Sequence, residues 1–156
     1  MIRIKDFKAY WDAMSTRIGA SRCILVRTET ELAQKIKAIS AGELFLIAVI
    51  PSSDTVARDN DNIEEKETVI VYALKKISRK DQTDAIMLDE MEQTQNCISN
   101  VKYNLFSDAE THDAPYHALI KYIDFNRLHT DPEYNYFECD GYSLSFALTT
   151  PGFLTL

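Results

Sequence analysis

Ile4, Phe7, Trp11, Met14 and Ile18 recur at steps of three and four, a stripe that predicts a core-facing helix ending near Gly19. Cys23 to Val26 is a short apolar run whose length fits a brief strand or a connector. Thr28-Glu29-Thr30-Glu31 has the form of a capping box: the Thr28 oxygen can accept from the Glu31 amide while the Glu31 carboxylate reaches back. A second helix should start there, with Leu32, Ile36 and Ile39 as its apolar stripe and Gly42 as its terminator. Leu44 to Ile50 is apolar at every position, as in a central strand covered on both faces, and Pro51 removes the next ladder donor. Ser52 to Lys66 is polar and acidic without periodicity and reads as a long loop or an extended hairpin tip. Thr68 to Lys76 resumes with Val69, Ile70, Val71 and Tyr72, residues that favour a pleated surface.

The longest helix is predicted from roughly Asp81, with Met87, Met91, Ile98, Val101 and Leu105 in helical spacing over about five turns. Ser107 to Pro115 is polar and turn-rich, and His117 to Leu128 then reads as a strand with Leu119, Ile123 and Phe125 on one face. Asp140-Gly141 tolerates the positive φ of a type I′ turn, which would join Tyr134–Cys139 to Tyr142–Thr149. In that last arm Tyr142, Leu144, Phe146 and Leu148 alternate strictly with Ser143, Ser145, Ala147 and Thr149, so one face packs and the other meets solvent or a partner. The order of two helices, two strands, a long helix and three strands implies an α+β fold. We expect a mainly antiparallel sheet of about four to six strands with helices on one face. With no repeat, low-complexity tract or linker, residues 1–156 form one domain, helical over 1–42 and built of the sheet and the long helix over 43–156.

Composition narrows the function. The 156 residues are 46% hydrophobic and 26% charged, ordinary for a globular chain that buries a core. A formal charge of −7 repels phosphate backbones and anionic membranes, so neither nucleic acid nor a membrane is expected as primary partner. The start lacks the apolar core of a signal peptide and no apolar run approaches the ~18 residues of a membrane span, so a cytoplasmic place, or one inside a particle, is expected. Cys23, Cys97 and Cys139 are widely spaced and odd in number, the pattern of reduced thiols rather than a disulfide framework or zinc knuckle.

Candidate chemistry is thin. Asp59-Asn60-Asp61-Asn62 places alternate oxygens as in a calcium loop but lacks the glycine and the distal glutamate of one. Asp108, Glu110, His112, Asp113 and His117 could be imagined around a metal, though such polar stretches are usually solvated. No GxSxG elbow supports a nucleophile, and a triad of Cys97 or Cys139 with His112, His117 or His129 has no motif behind it. The four glycines are scattered singly, so no phosphate-binding loop exists. Lys75, Lys76, Arg79 and Lys80, the one basic cluster, read as a solvated strand end, and Glu64, Glu65 and Glu67 as a hydrated loop edge. We therefore expect no cofactor, no metal and no catalytic residue.

Two features stand out instead. Phe153, Leu154 and Leu156 are apolar near the end of the chain, where a covering surface is needed. The acidic stretch carrying Asp54, Arg58, Asp59, Asp61, Glu64 and Glu65 is long enough to suggest a segment that orders against a partner. From Leu44 through Pro51, the strand through Tyr72, the long helix and the closing Gly141-Tyr142-Ser143-Leu144-Ser145-Phe146, the layout resembles phage tail terminator and tail-completion proteins. That resemblance implies a homo-oligomeric ring, a hexamer being the guess, that caps a tail tube or joins it to neck proteins. The acidic segment and strand edges would be its contacts. The rival expectations are a small intracellular binding or adaptor protein of bacterial defence or regulation, and an enzyme using His112, His117 or Asp113.

Overall fold

In the computed structural model, which describes residues 2–59, 62–78 and 83–151, the chain opens with helix α1, Ile4–Arg17. Phe7, Tyr10, Trp11 and Met14 make its buried stripe, and Gly19, at φ +76°, turns the chain away. Strand β1, Cys23–Val26, comes next, then α2, Glu29–Ile36. The Thr28 cap forms as predicted, with the Glu31 amide donating to Thr28 Oγ1 at 3.2 Å, while the Glu31 carboxylate reaches back one residue further and accepts from the Arg27 amide at 3.1 Å.

Strand β2, Leu44–Val49, pairs in parallel with β1 and antiparallel with β4, Asn62–Lys76. As expected, β2 ends just before Pro51. Residues 49–51 lie opposite only residues 69 and 70 of β4, a bulge past which the chain continues along the same neighbour as β3, Ser52–Asp59. Of the two readings of Ser52–Lys66, a long loop or an extended hairpin tip, the described residues fit the second, with Ser52–Asp59 antiparallel to the first part of β4. Helix α3, Asp84–Glu110, is capped by Thr83, whose hydroxyl oxygen accepts from the Ile86 amide. The single turn α4, His117–Ile120, then leads into β5, Ile123–Tyr136, and β6, Cys139–Pro151.

Two expectations about the last third need correction. The stretch from His117 begins helical, because Leu119 and Ile120 are buried together against the core. Beyond it runs one strand through Tyr136, irregular between Asp124 and His129, rather than two. The turn into β6 is made by Phe137 and Glu138, at φ +51° and +63°, and not by Asp140-Gly141. Positive φ costs roughly 1–2 kcal/mol at each such residue. Against that cost, the Phe137 ring packs on Tyr136 and Asp140 Oδ1 accepts from the Asn135 amide at 2.6 Å. Asp140 and Gly141 lie inside β6, opposite Lys75 and Leu74. A Cβ on Gly141 would sit 2.1 Å from the Ala73 carbonyl oxygen, so closeness of backbones, not turn geometry, requires the glycine.

The strands form one mixed sheet, β1-β2-β4-β6-β5, with β3 beside the first half of β4. Its main core joins Trp11, Met14, Leu46, Val71, Val101 and Leu144, so α1 and α3 lie on the same face. α2 does not join them. As the crossover between two parallel strands it packs on the opposite face, where Leu32, Ile36 and Ile39 meet Phe45, Ile47 and Leu74. Among the described residues no helix is long and apolar enough to cross a membrane.

Candidate functional site: the uncovered face and edge of the sheet

The alternation of β6 decides which face is covered. Leu144, Phe146 and Leu148 are buried beneath α1 and α3. On the other face α2 reaches Leu74 and Cys139. Past them Tyr72, Ser145 and Thr149 are half-buried, and Thr68 and His129 are exposed. This face carries small polar groups along its central strand and ends at the β3–β4 hairpin.

The hairpin holds most of the residues nominated as contacts. Asp54 is exposed opposite Lys66, Thr55 stands opposite Glu65 and Val56 opposite Glu64. Ser53 Oγ donates to Glu65 Oε2 at 3.1 Å. Arg58 and Asp59 fall in the last residues of β3, where the register shifts. Asp61, Phe153, Leu154 and Leu156 lie outside the described residues. The edge has a property the composition did not reveal: β3 pairs on one side with β4, and no described strand pairs with its other side. Its outward N–H and C=O groups are a template for a further strand. Val56, 44% exposed, is its apolar member. By contrast, at the β1 edge Lys35 Nζ donates to the Leu25 carbonyl at 2.7 Å.

At the other end of the same face, Tyr72 of β4 and Tyr136 of β5 stack with centroids 5.1 Å apart at 12°. They border a cleft of about 190 Å³ lined also by Val26, Arg27, Thr28, Glu29 and Ile70. Burial, first, and the charges of Glu133 and Glu29 hold the Tyr72 hydroxyl in its protonated form. Tyr136 is pushed the same way by burial and by its hydrogen bond to Tyr72. No local pattern marks this pairing, since the two rings come from distant strands.

The other candidates are committed to structure. The Asp108 carboxylate is buried and accepts from Tyr10 Oη at 3.0 Å and from Arg17 Nη1 at 2.9 and 3.0 Å, so α1 is fastened to the end of α3. Tyr10 is pushed above its ordinary value, by burial first and then by Asp108. His117 Nδ1 lies 3.3 Å from the Asp108 carbonyl, with the His112 ring beside it at 4.7 Å. Among the described residues no three histidine, cysteine or carboxylate side chains are placed to hold a metal. Burial raises the thiols of Cys97 to about 11 and of Cys23 and Cys139 to about 12, which keeps them from the thiolate form a nucleophile needs. Glu67 does not belong to a hydrated edge: it is buried and accepts from the Ile2 amide at 2.7 Å. Of the basic cluster, Arg79 and Lys80 lie outside the described residues, and Lys75 and Lys76 are no solvated strand end, since Lys75 Nζ reaches Gln93 of α3 at 2.9 Å and Lys76 Nζ the Ile36 carbonyl at 3.0 Å.

Comparison of the chain with protein-family models and with curated protein sequences gave no match. Whatever function is assigned therefore rests on the hairpin edge, the uncovered face and the tyrosine-lined cleft.

Proposed function

We propose that this chain is a structural subunit of a phage-like tail or contractile injection particle, acting through protein contacts that close a ring at the tube end or neck. The observation that carries the reading is the outer edge of β3, eight residues long and without a strand partner among the described residues. Such an edge adds a strand from a neighbour through backbone hydrogen bonds, and exposed Val56 would be covered in that contact. In a ring the neighbour's surface differs from the edge it receives, so the contact repeats until rotation closes it.

The test is the native mass of the purified chain and of Val56→Lys, a change at an exposed position that places a charge on the edge. A cyclic oligomer, a hexamer being the expected order, that falls to monomer in the variant supports the proposal. A strict monomer at high concentration, unmoved by tail-tube protein, overturns it. A second reading, a small intracellular binding or adaptor protein, is favoured by one observation of its own: the tyrosine-lined cleft at the opposite end of the uncovered face. It predicts a monomer that captures a partner through that cleft.

A further inference from the structure

We propose that the cleft between Tyr72, Tyr136 and the start of α2 is a binding site for an arginine side chain presented by a partner polypeptide. Size restricts the guest first. At about 190 Å³ the cleft is below the roughly 300–1,000 Å³ of sites that enclose a whole small molecule, yet it has room for one long side chain. Val26, Leu32, Val49 and Ile70 make apolar walls suited to methylene groups.

Charge then selects the sign. Aromatic faces carry the negative part of the ring quadrupole, and here two stacked rings share the site with the Glu29 carboxylate. The Glu133 and Glu29 charges act on both tyrosine hydroxyls, which places both acids within electrostatic reach of the rings. An anion would meet those carboxylates. The helix start offers it little in return, because Thr28 Oγ1 already takes the Glu31 amide and the Glu31 carboxylate takes that of Arg27. Arg27 also lines the cleft, but its charge is engaged, with Nε 3.3 Å from Glu31 Oε2 and the side chain 75% exposed. A guanidinium, planar and weakly hydrated, stacks on a tyrosine while its N–H groups reach a carboxylate, which a compact ammonium does not do. The formal charge of −7 would hasten the approach of a basic partner.

This site stands apart from the β3 edge, so its test can fail while the assembly reading survives. The intact protein is titrated with Nα-acetyl-arginine methylamide while the ring resonances of Tyr72 and Tyr136 are monitored by NMR. The citrulline analogue, the lysine analogue and free arginine serve as separate arms. Expected is a saturable shift with the arginine amide and binding about tenfold weaker for citrulline, which keeps the shape and loses the charge. Glu133→Gln and Tyr136→Leu should weaken it similarly. Should Tyr136→Leu fail to fold, Glu133→Gln carries the test alone. Equal shifts with citrulline, or none at tens of millimolar, would overturn the site. Lysine binding as well as arginine would overturn the guanidinium assignment, and tighter binding of free arginine would overturn the polypeptide source.

Discussion

The two faces of the sheet are built from the same strands and differ in nearly every other respect. One carries Leu144, Phe146, Leu148, Val69 and Val71 under two helices, with Trp11 closing over Phe146 at 6.5 Å. The other carries Ser143, Ser145, Ala147 and Thr149 along β6 and has α2 over one end. Burial of the first face, with the smaller core under α2 on the second, accounts for stability. Beyond α2 the second face keeps Ser145 and Thr149 half-buried and Thr68 exposed, and both surfaces to which we assign function adjoin this part.

The largest effect expected from breaking this division is Leu144→Ser, which writes the pattern of the open face onto the closed one. Removing a fully buried leucine side chain should cost about 3–5 kcal/mol, read as a fall in the urea midpoint with the slope unchanged. The paired control is Ser145→Ala, which should stay within about 0.5 kcal/mol. Equal effects of the two would mean that the open face is covered by something other than solvent.

Next in size is Gly141→Ala, which strikes the seam between the faces. Its methyl group would meet the Ala73 carbonyl of β4, a backbone atom that cannot swing aside. A loss of about 1–3 kcal/mol is expected, again from urea unfolding. If the glycine were only a turn residue the cost would vanish, because Gly141 has no positive φ to protect.

The smallest test uses one thiol on each face. Cys97 sits on the buried side of α3 and Cys139 beside α2, and burial raises the first to about 11 and the second to about 12 from 9.0. A group whose folded value is raised holds its proton more tightly when folded. Its contribution is whole below pH 9 and drains away as pH rises toward the folded value, at no more than about 1.4 kcal/mol per pH unit. Urea midpoints measured between pH 8 and 10.5 should therefore decline, and Cys97→Ala and Cys139→Ala should each flatten part of the decline. A midpoint that holds steady or rises over this range would contradict the burial of both thiols.

How much of this was legible in the sequence depended on which forces were local. The alternation in β6, the helical stripe through Trp11 and Met14 and the Thr28 cap depend on residues a few positions apart, and each reads directly from spacing. β3 did not, because Ser-Ser-Asp-Thr-Val buries little and is held by backbone bonds to β4, which leave no mark on side-chain pattern. The Asp140-Gly141 dipeptide has the stronger turn preference, yet register is set by putting Tyr142 and Leu144 under the helices, and that displaced the turn onto Phe137-Glu138. The contact residues on the hairpin were chosen for their charge, whereas the free edge behind them depends on topology. The Tyr72–Tyr136 cleft was hidden for the same reason.

The fastening of α1 to α3 bears on how the chain is made. Tyr10 and its partner Asp108 are separated by 98 residues, so during synthesis α1 waits for the end of α3 before this fastening can form. At 5–20 residues per second that wait is on the order of 5–20 s, during which Phe7, Trp11 and Met14 lack the Val101 and Leu105 of α3 that complete their core. Newly synthesised chains should thus pass through a stage in which the apolar stripe of α1 is only partly claimed, and a nascent-chain chaperone would find its target there.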